Sequence, residues 1–436
     1  MLYQPKKGKN GMFSHPHTPI RLLTIAYLII GIIFAVYTPL WQTPDEPAHY
    51  HYVAQVATTG LPVIEAGDWD SAYLDELKST RFADIDSTTF SSIQYEDHQP
   101  PLYYLLASPI YRLTNGNLYA IRIFSVMIGM IIVWCAYGVG RLMFPDSPAI
   151  ALGVAAFVAF HPQQLHIIAS VNNDVLAWAL VGMMLVMAIS YLKTNDQRLP
   201  LWMGGIVGIA FITKATAYFL LAIGLLAILL KQRNILRGLM LYIPPALILG
   251  LIWWIRNITV YGFPDFLGLR AHDAVVVGQL RTSERLTELG FGGYSAELFQ
   301  TTFNSFWGQF GWMAVPMPRW IYMGILALLI VAFIGLFIYH RDNNQRPVWI
   351  VLISTIALSV LAYLYYNSEF VQYQGRYMFP LLIPLGVFLV VGIDNWRIRL
   401  LGEMKYRLVT YLTAIPFLGM AVLDVYLIWR VIAPNL

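Results

Sequence analysis

Long stretches almost free of charge decide what this chain can become. Apolar runs close to the ~20 residues that a helix needs to cross a hydrocarbon core cover 20–40, 121–144, 149–170, 175–192, 239–255, 321–339, 348–366, 378–393 and 408–429. In lipid such runs are stable only where each backbone N–H and C=O is satisfied inside the protein, which for isolated runs of this length means helices. Charged residues make up 12% of the 436 positions, against about 25% in soluble domains, so a string of water-soluble domains is excluded. The one cysteine, Cys135, lies in an apolar run, which excludes a disulfide framework and a cysteine-rich metal site. Nothing in the charge distribution suggests a nucleic-acid partner.

The run 201–230 is ambiguous. At ~1.5 Å per residue it would be about 45 Å of helix, too long for a ~30 Å core without steep tilt, and Lys214 sits in its middle. This predicts two short helices meeting at Thr213 and Lys214. Lys193 and Arg198 precede the run and Lys231, Arg233 and Arg237 follow it, and both groups belong in the cytoplasm by the positive-inside rule, which requires an even number of crossings between them. The expectation is an all-α polytopic membrane protein of about 11 transmembrane helices. It comprises a cytoplasmic tail at 1–19, with Lys6, Lys7 and Lys9, and a single membrane domain at 20–436. The first run has a basic flank like a signal peptide, but it is long and shows no small-residue cleavage site, so it reads as an uncleaved anchor.

Two connections, 41–118 and 257–318, exceed ordinary loop length, and on this topology both are extracytoplasmic. Loops this long usually have a function. The first is acidic, with Lys78, Arg81 and Arg112 its only Lys or Arg. Neither has the apolar content of a soluble domain. Short amphipathic surface helices are expected near 46–59 and 101–113.

Chemistry-bearing residues gather around the outer ends of these segments. Asp45 and Glu46 follow the first span. They are either helix-capping groups or a general base whose pKa is tuned by the apolar boundary, and both can hold. His98, beside Asp97, could orient a substrate, bind a divalent ion together with Asp45, or be a solvated loop residue. Asn173 and Asp174 open another helix, as caps, as hydrogen-bond donors to sugar hydroxyls, or as a second acid. Lys214 is an embedded charge and needs a partner: a lipid phosphate, an acidic neighbour, or the interface reached by snorkelling. Arg256, and Arg376 within Gln374-Gly-Arg376-Tyr377, offer guanidinium forks for phosphate oxygens or serve as interfacial anchors. Trp307, in Trp307-Gly-Gln309-Phe310-Gly-Trp312, could stack on a sugar ring or belong to an interfacial belt.

Taken together, these motifs resemble the GT-C class of membrane glycosyltransferases, such as protein O-mannosyltransferases and aminoarabinose transferases acting on lipid A. Asp45-Glu46 is similar to the acidic pair of that class, and His98-Gln-Pro-Pro-Leu-Tyr to its His-Pro-Pro stretch with one residue inserted. Asn172-Asn-Asp174, Thr213-Lys214, Arg256-Asn257 with Tyr261-Gly262, Phe306-Trp-Gly308 and Gln374-Gly-Arg376-Tyr resemble a bacterial branch of predicted membrane proteins within it. A clear Asp-X-Asp metal motif is missing, apart from Asp68-Trp-Asp70 and Asp84-Ile-Asp86.

The resemblance implies inverting transfer of a hexose or pentose from a polyprenyl-phosphate donor to a glycan, lipid or protein acceptor on the extracytoplasmic side of the cell membrane. Asp45 or Glu46 would be the base, and Lys214, Arg256 and Arg376 would form a cationic nest for the departing phosphate. His98, Asn173, Asp174, Gln374, Tyr377 and Trp307 would complete the substrate site. No cofactor is required, and a divalent cation stays possible. The competing expectation is a transporter or flippase for a lipid-linked sugar.

Overall fold

The computed structural model describes residues 18–83, 92–338, 345–402 and 407–436. The expected N-terminal tail lies almost wholly outside the described residues, as do Asp84 and Asp86. The chain is helical nearly throughout. Its first half runs α1 (Thr18–Tyr37), α2 (Glu46–Thr58), α3 (Ser71–Ser79), α4 (Leu102–Leu113), α5 (Leu118–Met143), α6 (Pro148–Ala159), α7 (Pro162–Ile168), α8 (Asp174–Lys193) and α9 (Leu199–Phe211). The second half adds α10 (Leu220–Lys231), α11 (Ile235–Tyr261), α12 (Leu269–Val275), α13 (Thr282–Trp307), α14 (Arg319–Leu336), α15 (Arg346–Glu369), α16 (Leu382–Leu401), α17 (Arg407–Tyr411) and α18 (Ile415–Leu427). A two-residue antiparallel pair, Gln309–Phe310 with Val315–Pro316, makes a tight turn after α13.

Among the described residues eight helices are long and apolar enough to cross a membrane, and α6 with α7, bent by 60°, make a ninth. The expected count of eleven is therefore not reached by length. The shortfall lies in the 201–230 run, whose two halves are each shorter than a bilayer crossing requires. The break falls where the embedded lysine predicts it: α9 ends at Phe211, Lys214 is extended, and a 3-10 turn at Ala215–Ala217 leads into α10. The carbonyl of Ile212 freed by the break accepts the Leu102 N–H at 2.9 Å, so the start of α4 satisfies it in place of water.

Close backbone packing holds the bundle. A Cβ on Gly204 or Gly208 of α9 would collide with the carbonyl oxygens of Tyr242 and Pro245 on α11, a small-residue seam of the kind that lets membrane helices approach. The surface helices α2 and α4 form as expected, but they are sunk into the structure. Tyr52 stacks on Tyr104 with centroids 3.7 Å apart, and the Tyr104 hydroxyl meets His49 Nδ1 at 2.8 Å.

The entry to α2 is fixed by a buried ion pair. Arg122, in the first turns of α5 and fully buried, donates to Glu46 from Nε at 2.7 Å and from Nη2 at 2.5 Å. Its remaining N–H groups reach the carbonyls of Ala35, Thr38 and Pro39 at the end of α1. Glu46 also accepts the Val171 N–H at 3.1 Å. Because removing one member of a buried pair leaves the other charged and unpaired, Arg122→Ala should destabilise the protein by roughly 3–5 kcal/mol. A clear drop in melting temperature in detergent is the expected result, and an unchanged melting temperature would refute this role.

Candidate active site

Asp45 occupies the cap position before α2, yet its side chain makes no cap hydrogen bond. The capping expectation fails because the residue adopts a left-handed backbone, φ 66°, a region that aspartate visits more readily than most residues. This turns the carboxylate away from the helix. One oxygen accepts the Tyr95 hydroxyl at 2.7 Å, and the other is gripped by Arg376 Nη2. Burial pushes the Asp45 carboxyl up, but the charge of Arg376 beside it prevails and holds it at about 2. Glu46, one residue on, points the opposite way into the Arg122 pair and is fully buried. The acidic pair is thus divided: Asp45 faces a cavity, and Glu46 is locked in the core, out of a substrate's reach.

The cavity, of about 280 Å³, lies between the two long connections. Asp45, Tyr95 and Glu96 contribute from the first, His272 and Gln279 from the second, Trp312 from the tight turn, and Gln374 and Tyr377 from the segment leading into α16. Glu96 is a second acid that its position inside the Glu96-Asp97-His98 run did not single out. One of its oxygens is shielded from solvent and has no hydrogen-bond partner among the described residues. Burial, with the nearby Asp45 charge, pushes its carboxyl up to about 7.

A second ion pair joins the start of α8 to the break before α10. Lys214 Nζ lies 2.8 Å from Asp174 and donates to Asn173 Oδ1 at 2.7 Å. The Asn173 amide in turn reaches Gln99 and the Thr213 carbonyl. Glu96 lies within the fields of Asp45, Lys214 and Arg376 together, so these groups share one neighbourhood. His49 does as well, and burial holds it neutral.

Arg256 does not join them. Its guanidinium donates to the Pro62 carbonyl and to Asn257, and it lies over the faces of Trp253 and Tyr261. It pins the first long connection to the end of α11, so of the three expected cations Lys214 and Arg376 stand near Glu96 and Asp45 and Arg256 stands apart. Trp307 is also misplaced by the sequence reading. It is buried on His161, with rings 5.0 Å apart, while its neighbour Trp312 faces the cavity. His98 lies behind the cavity wall against His272, centroids 4.3 Å apart. Burial and that neighbouring ring hold its pKa well below the usual histidine range.

The residues do not fit a divalent ion between Asp45 and His98. The Asp45 oxygens are engaged by Tyr95 and Arg376, and His98 Nδ1 by the Tyr95 carbonyl. Asp68 and Asp70 bind the backbone N–H groups of Glu65 and Tyr73. Among the described residues no group of three or more His, Cys, Asp or Glu is placed to hold a metal.

Arg376 is the most unusual group. It is 4% exposed, and among the described residues its Nε and Nη1 have no hydrogen-bond partner. Buried donors are rarely left so, and the guanidinium holds Asp45, which lines the cavity.

A titration follows from the placement of Glu96. In the unfolded chain it ionises near 4.5, in the folded protein at about 7. Between those values the native state holds the extra proton, so this group's contribution to stability falls as pH rises and is flat above about 7. Glu96→Gln should therefore gain stability relative to the parent chain across that window. A pH-independent difference in melting temperature would show that Glu96 titrates normally.

In fold the chain is similar to ArnT from Cupriavidus metallidurans bound to undecaprenyl phosphate, at 14% identity and a TM-score of 0.54, with 96% of this chain and 74% of ArnT covered. ArnT in the apo state gives 13% identity and 0.55, over 95% of this chain and 73% of that one. An oligosaccharyltransferase from Archaeoglobus fulgidus, tethered to an acceptor peptide, gives 12% identity and 0.56, covering 94% of this chain. The chain spans 55% of the length of that enzyme. No curated protein matches by sequence. The fold is that of the GT-C membrane glycosyltransferases, in a multi-pass membrane protein. The model of the predicted membrane protein family DUF2142 matches residues 67–385, well over half of the sequence, and the chain belongs to that family.

Proposed function

We propose that this protein is an inverting glycosyltransferase, moving a hexose or pentose from a polyprenyl-phosphate donor to an acceptor hydroxyl at the extracytoplasmic face of the cell membrane. The observation that carries the reading is Arg376, which holds Asp45 by one nitrogen and keeps two buried donor nitrogens free beside it. A base and an oxyanion site thereby meet at one residue. The undecaprenyl phosphate bound to ArnT, similar in fold, supports a lipid-phosphate donor.

In the proposed step the acceptor oxygen bonds to the anomeric carbon as its proton passes to Asp45. The bond from that carbon to the phosphate oxygen breaks, and its electron pair leaves with the phosphate. Arg376 and Lys214 receive the growing charge, which they bind more tightly in the transition state than in the ground state. Held at about 2, Asp45 is a weak base before donor arrives. A phosphate shared with Arg376 loosens that hold, so basicity rises once the donor is in place. Asp174 and Asn173 position Lys214, and His98 supports the cavity wall through His272. The step needs no cofactor. A transporter or flippase would account for the embedded cations but gives Asp45 no task.

With purified protein and polyprenyl-phosphate sugars, Asp45→Asn should slow transfer by about 10²–10⁴-fold, the usual contribution of a general base, with donor affinity largely kept. Transfer at the full rate would eliminate Asp45 as base. Arg376→Ala and Lys214→Ala should weaken donor binding, whereas Arg256→Ala should not. Equal donor affinity in all three variants would eliminate the phosphate site.

A further inference from the structure

The cavity has a composition of its own. Trp69 presents an indole fixed at its rim, with Nε1 bonded to the Val277 carbonyl at 2.9 Å and Tyr95 edge-on at 5.1 Å. Around it stand three neutral amides. The Oε1 of Gln279 is shielded from solvent and has no partner among the described residues. Gln374 Nε2 donates to Gln372 Oε1 at 3.2 Å, which among the described residues leaves the Gln372 Nε2 hydrogens and the Gln374 side-chain Oε1 for a ligand. Carboxamides both donate and accept, as ring hydroxyls do, and an aromatic face suits the apolar face of a sugar.

Charge narrows the choice further. Asp45 and Glu96 line the cavity, and its one lysine or arginine, Lys78, sits over the Trp312 ring at 4.8 Å and pairs with Asp75. A phosphorylated acceptor would meet two acids and no free guanidinium among the lining residues. At about 280 Å³ the cavity is just smaller than most ligand sites, which run from about 300 to 1,000 Å³. That suits a ring or two and not a folded peptide loop, and the mixed polar lining is no slot for an acyl chain.

We infer that this cavity is the acceptor subsite and takes an uncharged saccharide, stacked on Trp69 and hydrogen-bonded by Gln279, Gln372 and Gln374. The inference rests on the transferase reading, since Asp45 on the same wall takes the proton of the ring hydroxyl as its oxygen forms the new bond. The phosphate leaves with the electron pair of the broken bond toward Arg376. The chain would thus extend a glycan.

The test uses the full chain in lipid nanodiscs and saturation-transfer NMR with three probes: methyl glycosides of neutral hexoses, their 6-phosphates, and a serine-containing peptide. Neutral glycosides should bind. Trp69→Ala and Gln279→Ala should weaken them several-fold to about tenfold, the scale of an aromatic contact, while Trp69→Phe keeps most of the affinity. Unchanged binding of bare polyprenyl phosphate by the variants shows that they are folded. Preference for the phosphorylated sugar or the peptide overturns the inference. So does failure of every glycoside to bind while polyprenyl phosphate binds, a result that leaves the transferase reading standing. Displacement of the glycoside by sugar-loaded donor but not by bare polyprenyl phosphate would reassign the cavity to the donor sugar. If glycosides bind as expected but Asp45→Asn keeps full transfer, the proposed mechanism fails instead.

Discussion

The site depends on a guanidinium in a place where no water can reach it. Arg122 ties three pieces of chain together: the carbonyls that end α1, the Glu46 carboxylate that begins α2, and its own helix α5. Glu46 extends the tie to the turn before α8 through Val171. Desolvating such a pair is costly, and apolar residues of similar volume would often be as stable. Its benefit here is position. A hydrophobic contact can slide, whereas a bidentate ion pair with further carbonyl acceptors has one geometry, and the residue next to Glu46 inherits it. The direction in which Asp45 points is set by a bond that Asp45 does not make.

The membrane architecture was legible because its signals are local. Apolar length gives the helices, and a lysine within an overlong run gives the break at Thr213–Lys214. The acidic pair, Lys214 and the Arg376 segment could be marked as chemical because charge in an apolar setting is expensive wherever it occurs. Their partners are another matter. Asp45 meets Arg376 across more than three hundred positions of sequence, and no spacing rule reaches that far. The same limit explains Arg256, which looks like Arg376 in sequence but ends on the Pro62 carbonyl. It also explains Trp307 and Trp312, five residues apart, one in the core and the other at the cavity. Arg122 did carry a readable signal, an arginine at the start of an apolar run, and its partner had to be an acid near the same boundary.

The ion pairs around the cavity have a common character. Arg376 with Asp45, and Lys214 with Asp174, are each internally neutralised, which avoids the field that several bare cations would create in a low-dielectric wall. On the proposed mechanism an arriving phosphate would take over a cation from the acid already paired with it. Such exchange would link two events, anion capture and release of a carboxylate, that simple proximity would leave independent.

The left-handed turn at Asp45 restricts what evolution can do with this position. Few side chains tolerate that backbone, and among them asparagine has nearly the same shape. A descendant carrying asparagine would retain the turn, the buried anchor beside it and the surrounding cavity, yet lack the negative oxygen. If Asp45 is the base proposed above, a single-codon change would thus convert a reactive scaffold into a receptor that recognises its ligands and leaves them unaltered.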